Sequence, residues 1–205
     1  MPSHPPGRPP AANGAARAIA IRHAALELFT QRGYAATTMA DIGQAVGIRG
    51  PSLYKHVSSK QQLLVEIMVG TMEALIAEHG VAVRGTADPQ ERLRRATEAH
   101  VRYHVRHRHE AFVGTREIRS LEEPNRSKVL SMRDAYEQAF RDLVQAGVDC
   151  GRFHVTSVRL ASYAILDLGM GVSVWYREAG ELSENQVAWQ YGEFALRLVG
   201  APAAD

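Results

Sequence analysis

Apolar side chains recur at helical spacing from Ile19 almost to the end of the chain, and no period of two persists anywhere. That property leaves no sheet to build on, so the chain must bury helix faces against one another. Ile21, Ala24, Ala25, Leu28 and Phe29 fall at i, i+3, i+4, i+7 and i+8 on one face, and Gly33 ends the run. Helix starts are signalled by caps. Thr38-x-x-Asp41, Ser59-x-x-Gln62, Asp88-Pro89-x-Glu91 and Ser183-x-x-Gln186 each place an oxygen where the first amides of a helix lack partners. Pro89 sits at the first helical position, where its missing N–H costs nothing. After Ser59, residues Leu63, Leu64, Ile67, Met68, Thr71, Leu75 and Ile76 keep the period to about Arg84. Further helices are predicted over about Pro89–His107, Glu110–Leu121, Pro124 to the break at Gly147 and Gly151, Val155–Arg177 and Glu184–Val199. The expected fold class is all-α, with about nine helices.

With 205 residues, the chain has room for one medium domain or two small ones sharing a core. No run approaches the roughly 18 apolar residues of a membrane span. The opening MPSHPPGRPP lacks the apolar region of a secretory signal, and the single cysteine, Cys150, has no partner for a disulfide. A cytoplasmic protein is expected, with Cys150 in a small buried apolar role rather than as a reactive thiol. Residues 1–60 carry seven Lys or Arg against two acids, a balance of +5, whereas the other 145 carry 17 bases and 20 acids, a balance of −3. A basic head on a mildly acidic body suits a polyanionic partner, although a solvated basic face gives the same count. Residues 1–16 hold five of the nine prolines and read as a disordered arm. Arg8 there and Arg17 just beyond it suit a DNA minor groove, or a passive tail.

The stretch from Gly33 to Leu64, GYAATTMADIGQAVGIRGPSLYKHVSSKQQLL, is the most informative. A short helix Met39–Val46 is followed by Gly47, where a tight turn wants positive φ, and then by a second short helix opened by Pro51. Ile42, Val46, Ile48, Leu53 and Val57 can close a small core between them. The pattern is a helix-turn-helix, whose second helix presents its N-terminal residues to base edges in the major groove. Arg49, Ser52, Lys55 and His56 are the donors or potential donors left exposed by this reading.

The motifs Leu28-Phe29 with Gly33-Tyr34, Thr37-Thr38, Ile42, Ala45-Val46-Gly47, Leu53-Tyr54-x-His56 and Lys60-x-x-Leu63-Leu64 resemble the N-terminal domain of the tetracycline-repressor (TetR) family of bacterial transcriptional regulators, from about Ile19 to Leu64. The resemblance implies an arm (1–16), a DNA-binding domain (17–62) and a ligand-binding and dimerisation domain (63–200). Thr38 would cap the first helix of the motif and touch a phosphate. Tyr54, His56 and Lys60 would grip the sugar–phosphate backbone, while Arg49, Gly50, Pro51, Ser52 and Lys55 would face the bases. A buried spacer for Tyr54 and a packed imidazole for His56 are the alternatives. Two positions depart from the family pattern. Gly43 stands where alanine is usual, at about 0.8–1 kcal/mol of helix propensity, and Val57 stands where phenylalanine is commonest.

The same resemblance implies a homodimer on a palindromic double-stranded DNA operator, joined through the last two helices. Ala161, Ala164, Gly169 and Gly171 would allow close helix approach, and Val187, Tyr191, Phe194 and Leu198 form a stripe that also suits intramolecular core. The middle helices, about 60–148, would enclose a small-molecule effector. Apolar or aromatic candidates are Met68, Met72, Phe112, Tyr136, Phe140, Met170 and Trp175, although plain core is the favoured reading for each. Polar candidates are His100, His104, Arg116 and Arg119. The tract FVGTREIRSLEEPNR from Phe112, with Trp175-Tyr176-Arg177, is similar to regulators of fatty-acid and steroid breakdown that sense acyl-CoA thioesters, ligands needing an apolar slot and arginines for phosphate.

His100 and His104, at i and i+4, share a spacing that zinc can use, but no third ligand or base is in sight, and Arg102, Arg106 and Arg108 would repel a cation. Pocket-lining or surface histidines are expected instead, without metal or cofactor. No nucleophile–base–orienter set or glycine-rich phosphate loop points to an enzyme. The rival to an effector-controlled regulator is a ligand-independent DNA-binding or protein-partner module.

Overall fold

A computed structural model of the chain describes residues 10–202. Nine α-helices and no strand occur among them. They are α1 (Pro10–Arg32), α2 (Met39–Ala45), α3 (Gly50–Leu53), α4 (Lys60–Ala82), α5 (Pro89–Arg106), α6 (Arg108–Arg116), α7 (Asn125–Asp149), α8 (Val158–Trp175) and α9 (Glu184–Leu198), with a 3-10 turn at Ile118–Ser120. The expected all-α class is what the chain adopts. α1 begins at Pro10, so the second half of the expected arm is helical, and Arg17 sits on a helix rather than on a loose tail. Proline tolerates the first turn of a helix, and the alanines that follow are the best helix formers, which periodicity alone does not register. Arg8 lies outside the described residues.

The expected caps form. Thr38 and Ser183 make reciprocal capping boxes with Asp41 and Gln186, and the side chains of Ser59 and Asp88 accept the amides of Gln62 and Glu91. The helix expected over Glu110–Leu121 instead starts at Arg108, stops at Arg116 and tightens into the 3-10 turn.

The apolar faces meet in three clusters. The first joins Ile21, Phe29, Ile42, Leu53, Val57 and Leu64 of α1–α4 to Val113, Leu121 and Val129 farther along the chain. The head therefore shares its core with α6 and α7. The second cluster centres on Phe140, Phe153 and Leu93, and the third lies between α5, α8 and α9. Gly147 gives Phe153 its place, since a Cβ there would lie 1.9 Å from the phenyl ring. Ala161 and Gly169 of α8 also face inward, Gly169 so closely that an added Cβ would come within 2.3 Å of the His100 ring. These two residues serve the internal packing of α8, not the approach of a second subunit.

Candidate nucleic-acid interface and effector cleft

Thr38 holds extended backbone (φ −108°, ψ 161°) and its hydroxyl accepts the Asp41 amide at 3.1 Å, while its own N–H donates to the Asp41 carboxylate at 2.8 Å. The Thr38 hydroxyl, which also donates to that carboxylate, and then the Thr38 N–H hold the Asp41 carboxyl below its ordinary range. α2 then runs to Ala45, Gly47 turns the chain at φ +67°, and the Ile48 amide returns to the Gly43 carbonyl at 2.8 Å. A Cβ on Gly43 would meet the Ile48 carbonyl oxygen at 2.7 Å, so this glycine accompanies a close return of the turn. α3 is a single turn. Leu53 and Val57 point into the core, whereas Arg49, Gly50, Pro51, Ser52, Tyr54, Lys55 and His56 are all exposed, Tyr54 at 56%. Tyr54 is thus no buried spacer and His56 no packed imidazole. A convex ridge carrying two cations, hydroxyls and an imidazole faces outward, as contact with duplex DNA requires.

Lys60 is placed differently from the expected backbone-gripping lysine. Its ammonium donates to the carbonyls of Tyr34 and Thr37, both at 2.7 Å, and lies 4.2 Å from the centre of the Tyr34 ring. Two of its three N–H donors are therefore used inside the protein. Tyr34 is gripped from the body as well. Its backbone N–H donates to Glu117 at 3.1 Å, and Gln61 bridges its hydroxyl to the Ser120 carbonyl. No sequence pattern marks Gln61, and Glu117 is marked only as part of the tract from Phe112.

Six of the eleven expected effector residues are core. Met68 belongs to the first cluster, and Met72, Tyr136 and Phe140 to the second. His100 and His104 are 4% exposed, neither surface nor pocket-lining. The Leu166 carbonyl can only accept, so Nε2 of His100 carries the proton and donates to it at 3.0 Å, leaving Nδ1 to accept the Tyr136 hydroxyl at 3.1 Å. His104 donates from Nδ1 to the His100 carbonyl at 2.8 Å. Burial, then the neighbouring His104, pushes the His100 pKa well down, and burial lowers that of His104. With both of its ring nitrogens engaged, His100 has none to offer a metal.

Phe112, Arg116 and Met170 do come together, in a cleft of about 1300 Å³ between α1, α6 and α8. Leu26 and Phe112 give it apolar wall, Arg106, Arg108 and Arg116 give it positive charge, and the carboxylates of Glu110, Asp167, Glu178 and Glu184 line it as well. Arg106 is paired with Glu184 at 2.5 Å, Arg108 donates to the Ser173 carbonyl at 2.8 Å, and Arg116 stacks 4.6 Å from the Phe112 ring centre. Arg119 and Trp175 lie outside the cleft, both exposed, and Trp175 stacks near Tyr191 at 6.4 Å. Sequence reasoning missed His23 and Leu26 of α1 as cleft residues, because they lie some 80 residues from α6 along the chain.

A helix-turn-helix with its donors outward, carried on a helical body with a cleft against the head, defines a DNA-binding transcriptional regulator. The family described as "Bacterial regulatory proteins, tetR family" matches residues 21–67, and "Tetracyclin repressor-like, C-terminal domain" matches residues 86–199. The chain belongs to the TetR family. The transcriptional repressor KstR2 of Mycobacterium tuberculosis is 30% identical over 169 residues, covering 82% of this chain and 84% of that one. A tetR-family regulatory protein from Rhodococcus RHA1 superposes with a TM-score of 0.84 at 31% identity, covering 91% of this chain and 98% of its own. AibR, solved with isovaleryl coenzyme A and operator DNA, shares the fold with a TM-score of 0.79 at 23% identity, covering 91% of this chain and all of its own. No described helix is long and apolar enough to cross a membrane.

Proposed function

We propose that this chain is a cytoplasmic repressor that binds a palindromic operator as a homodimer and is released by a small hydrophobic effector, an acyl-CoA thioester. The observation that carries the proposal is the cleft's position, bounded by α1 of the reading head and by α6 and α8 of the body. An occupant there touches both parts at once. Arg108 and Arg116, which have no carboxylate partner among the described residues, suit the phosphates of coenzyme A, and Leu26, Phe112 and Met170 suit its acyl chain. The name of AibR's ligand supports the class, and KstR2's name supports repression.

Thr38, Tyr54 and His56 hold the phosphate backbone, with the one N–H of Lys60 not used internally, while Arg49, Gly50, Pro51, Ser52 and Lys55 face the bases. The dimer face is the apolar row on α8 and α9 that the monomer leaves bare, including Leu160, Val174, Trp175, Trp189 and Phe194. Two heads then stand about one helical turn apart, roughly 34–36 Å. An effector moves the balance only by its preference for the released state, and a swing from 1:99 to 99:1 needs about 5.5 kcal/mol.

The test is a gel shift on the DNA flanking the gene, repeated with a panel of acyl-CoAs beginning with isovaleryl coenzyme A. Retarded DNA that is freed by one thioester supports the proposal. Undiminished occupancy across the panel, with no thermal stabilisation of the protein, refutes the effector class.

A further inference from the structure

We propose that Gln44 of α2 is a base-reading residue, specific for an adenine–thymine pair next to the guanine read by Arg49. The inference rests on the DNA-binding reading above. A hollow of about 460 Å³ lies between α2 and the start of α3, with Gln44 and Arg49 on its rim and Ala40, Gly43, Gly47 and Gly50 in its wall. Both rim side chains are exposed, and neither makes a hydrogen bond among the described residues. The first turn of α3 is poor in chemistry. Gly50 has no side chain, Pro51 has no donor, and Leu53 is buried. Ser52 is the one short polar group there, so readout at this edge falls to the rim.

Met39 and Ile48 also line the hollow, but its three glycines are there for reasons that can be separated. Gly47 needs its positive φ, and Gly43 admits the Ile48 carbonyl. Gly50 has neither reason. Its φ is not positive, and a Cβ added there meets nothing within 4 Å. Nothing inside the protein demands a glycine at Gly50, and its lack of a side chain keeps the hollow open toward the outside. A base edge can therefore approach the backbone between the two rim groups.

Their chemistries divide the work. The guanidinium of Arg49 donates twice, matching guanine N7 and O6. The carboxamide of Gln44 donates through its N–H to adenine N7 and accepts from adenine N6. Guanine offers acceptors at both places, so it leaves the amide oxygen facing an oxygen. Gln44 is neutral and releases no counterion, which separates this role from a phosphate contact.

The experiment selects from a randomised duplex pool with the full chain, comparing wild type, Gln44→Ala and Gln44→Glu. Wild type is expected to enrich half-sites with one strongly fixed A·T pair. Gln44→Ala loses roughly 5- to 150-fold of preference at that pair alone, with unchanged salt slope and thermal midpoint. Gln44→Glu, which can only accept, moves the preference toward cytosine. Identical base preferences in wild type and both variants overturn the inference while leaving DNA binding intact. A wild type that enriches no motif overturns the DNA-binding reading itself.

Discussion

The carboxylate of Glu117, at the end of α6, accepts the backbone N–H of Tyr34 at 3.1 Å, joining body to head across 83 residues of sequence. Its other oxygen is held by the Ser120 hydroxyl at 2.7 Å. Tyr34 is thus gripped at its amide by α6, at its carbonyl by Lys60 and at its hydroxyl by Gln61. Because α6 also lines the cleft, Glu117 ties the cleft wall directly to the turn between α1 and α2.

Glu117→Ala should therefore destabilise the protein by about 1.5–3 kcal/mol, the range for a hydrogen bond to a charged group. Glu117→Gln, which keeps an accepting oxygen, should lose less. Urea denaturation with matched slopes measures both, and an unchanged midpoint for the alanine variant would show that the bond contributes nothing.

Lys60 and Lys55 should part company in the same assay. Lys60→Ala strands the carbonyls of Tyr34 and Thr37 and should cost about 1–3 kcal/mol. Lys55→Ala, on an exposed side chain, should stay within about 0.5 kcal/mol of wild type. Both variants should weaken DNA binding, but only Lys60→Ala should lower the unfolding midpoint. Equal midpoints would remove the clamp.

Acid should loosen the body before it protonates the carboxylates. Burial depresses the folded-state pKa of His100 and His104 below the unfolded value near 6.5, so the unfolded chain binds more protons as pH falls. The stability they contribute is whole above pH ~6.5 and is lost on acidification toward the folded pKa values. The loss is up to about 1.36 kcal/mol per pH unit for each group. Glu137 and Glu91, whose pKa values are lowered, lose their contributions in the same direction but at lower pH, beginning near 4.5. Denaturation midpoints between pH 7 and 5 should slope downward, and His100→Gln should flatten that slope. A variant as steep as wild type would rule out His100 as its source.

Two glycines two positions apart on α8 should respond with opposite signs. Gly169→Ala drives a Cβ to within 2.3 Å of the His100 ring and should cost about 1–3 kcal/mol through overpacking. Gly171→Ala meets nothing within 4 Å and should gain up to about 1 kcal/mol of helix propensity. Matching shifts for the two would mean that the close contact relaxes freely.

Trp189→Glu puts a charge on an apolar residue that is 53% exposed in the monomer. Sedimentation should find this variant shifted to monomer, with operator affinity falling alongside. A dimer as stable as wild type would place the subunit interface elsewhere.

What the sequence disclosed and what it hid divide along one line. Periodicity and caps are local, so Thr38, Ser59, Asp88 and Ser183 could be read as helix starts, and Leu53 and Val57 as the inward face of the motif. The cleft is made by α1, α6 and α8 meeting, and nothing within any one of them announces it. Met72, Tyr136 and Phe140 look alike in sequence whether they line a cavity or fill a core, and here they fill it. Lys60 illustrates the same limit at one atom. Its place at the start of α4 was readable, but not the two carbonyls that hold its ammonium.

The apolar cluster beneath Phe29 and Leu64 is completed by Val113, Leu121 and Val129. A fragment ending after α4 would therefore have its hydrophobic wall open to water along one whole side. Transplanting this head onto a foreign scaffold would require bringing α6 and the first turns of α7 with it. The two segments are separable in what they recognise, yet they fold as partners.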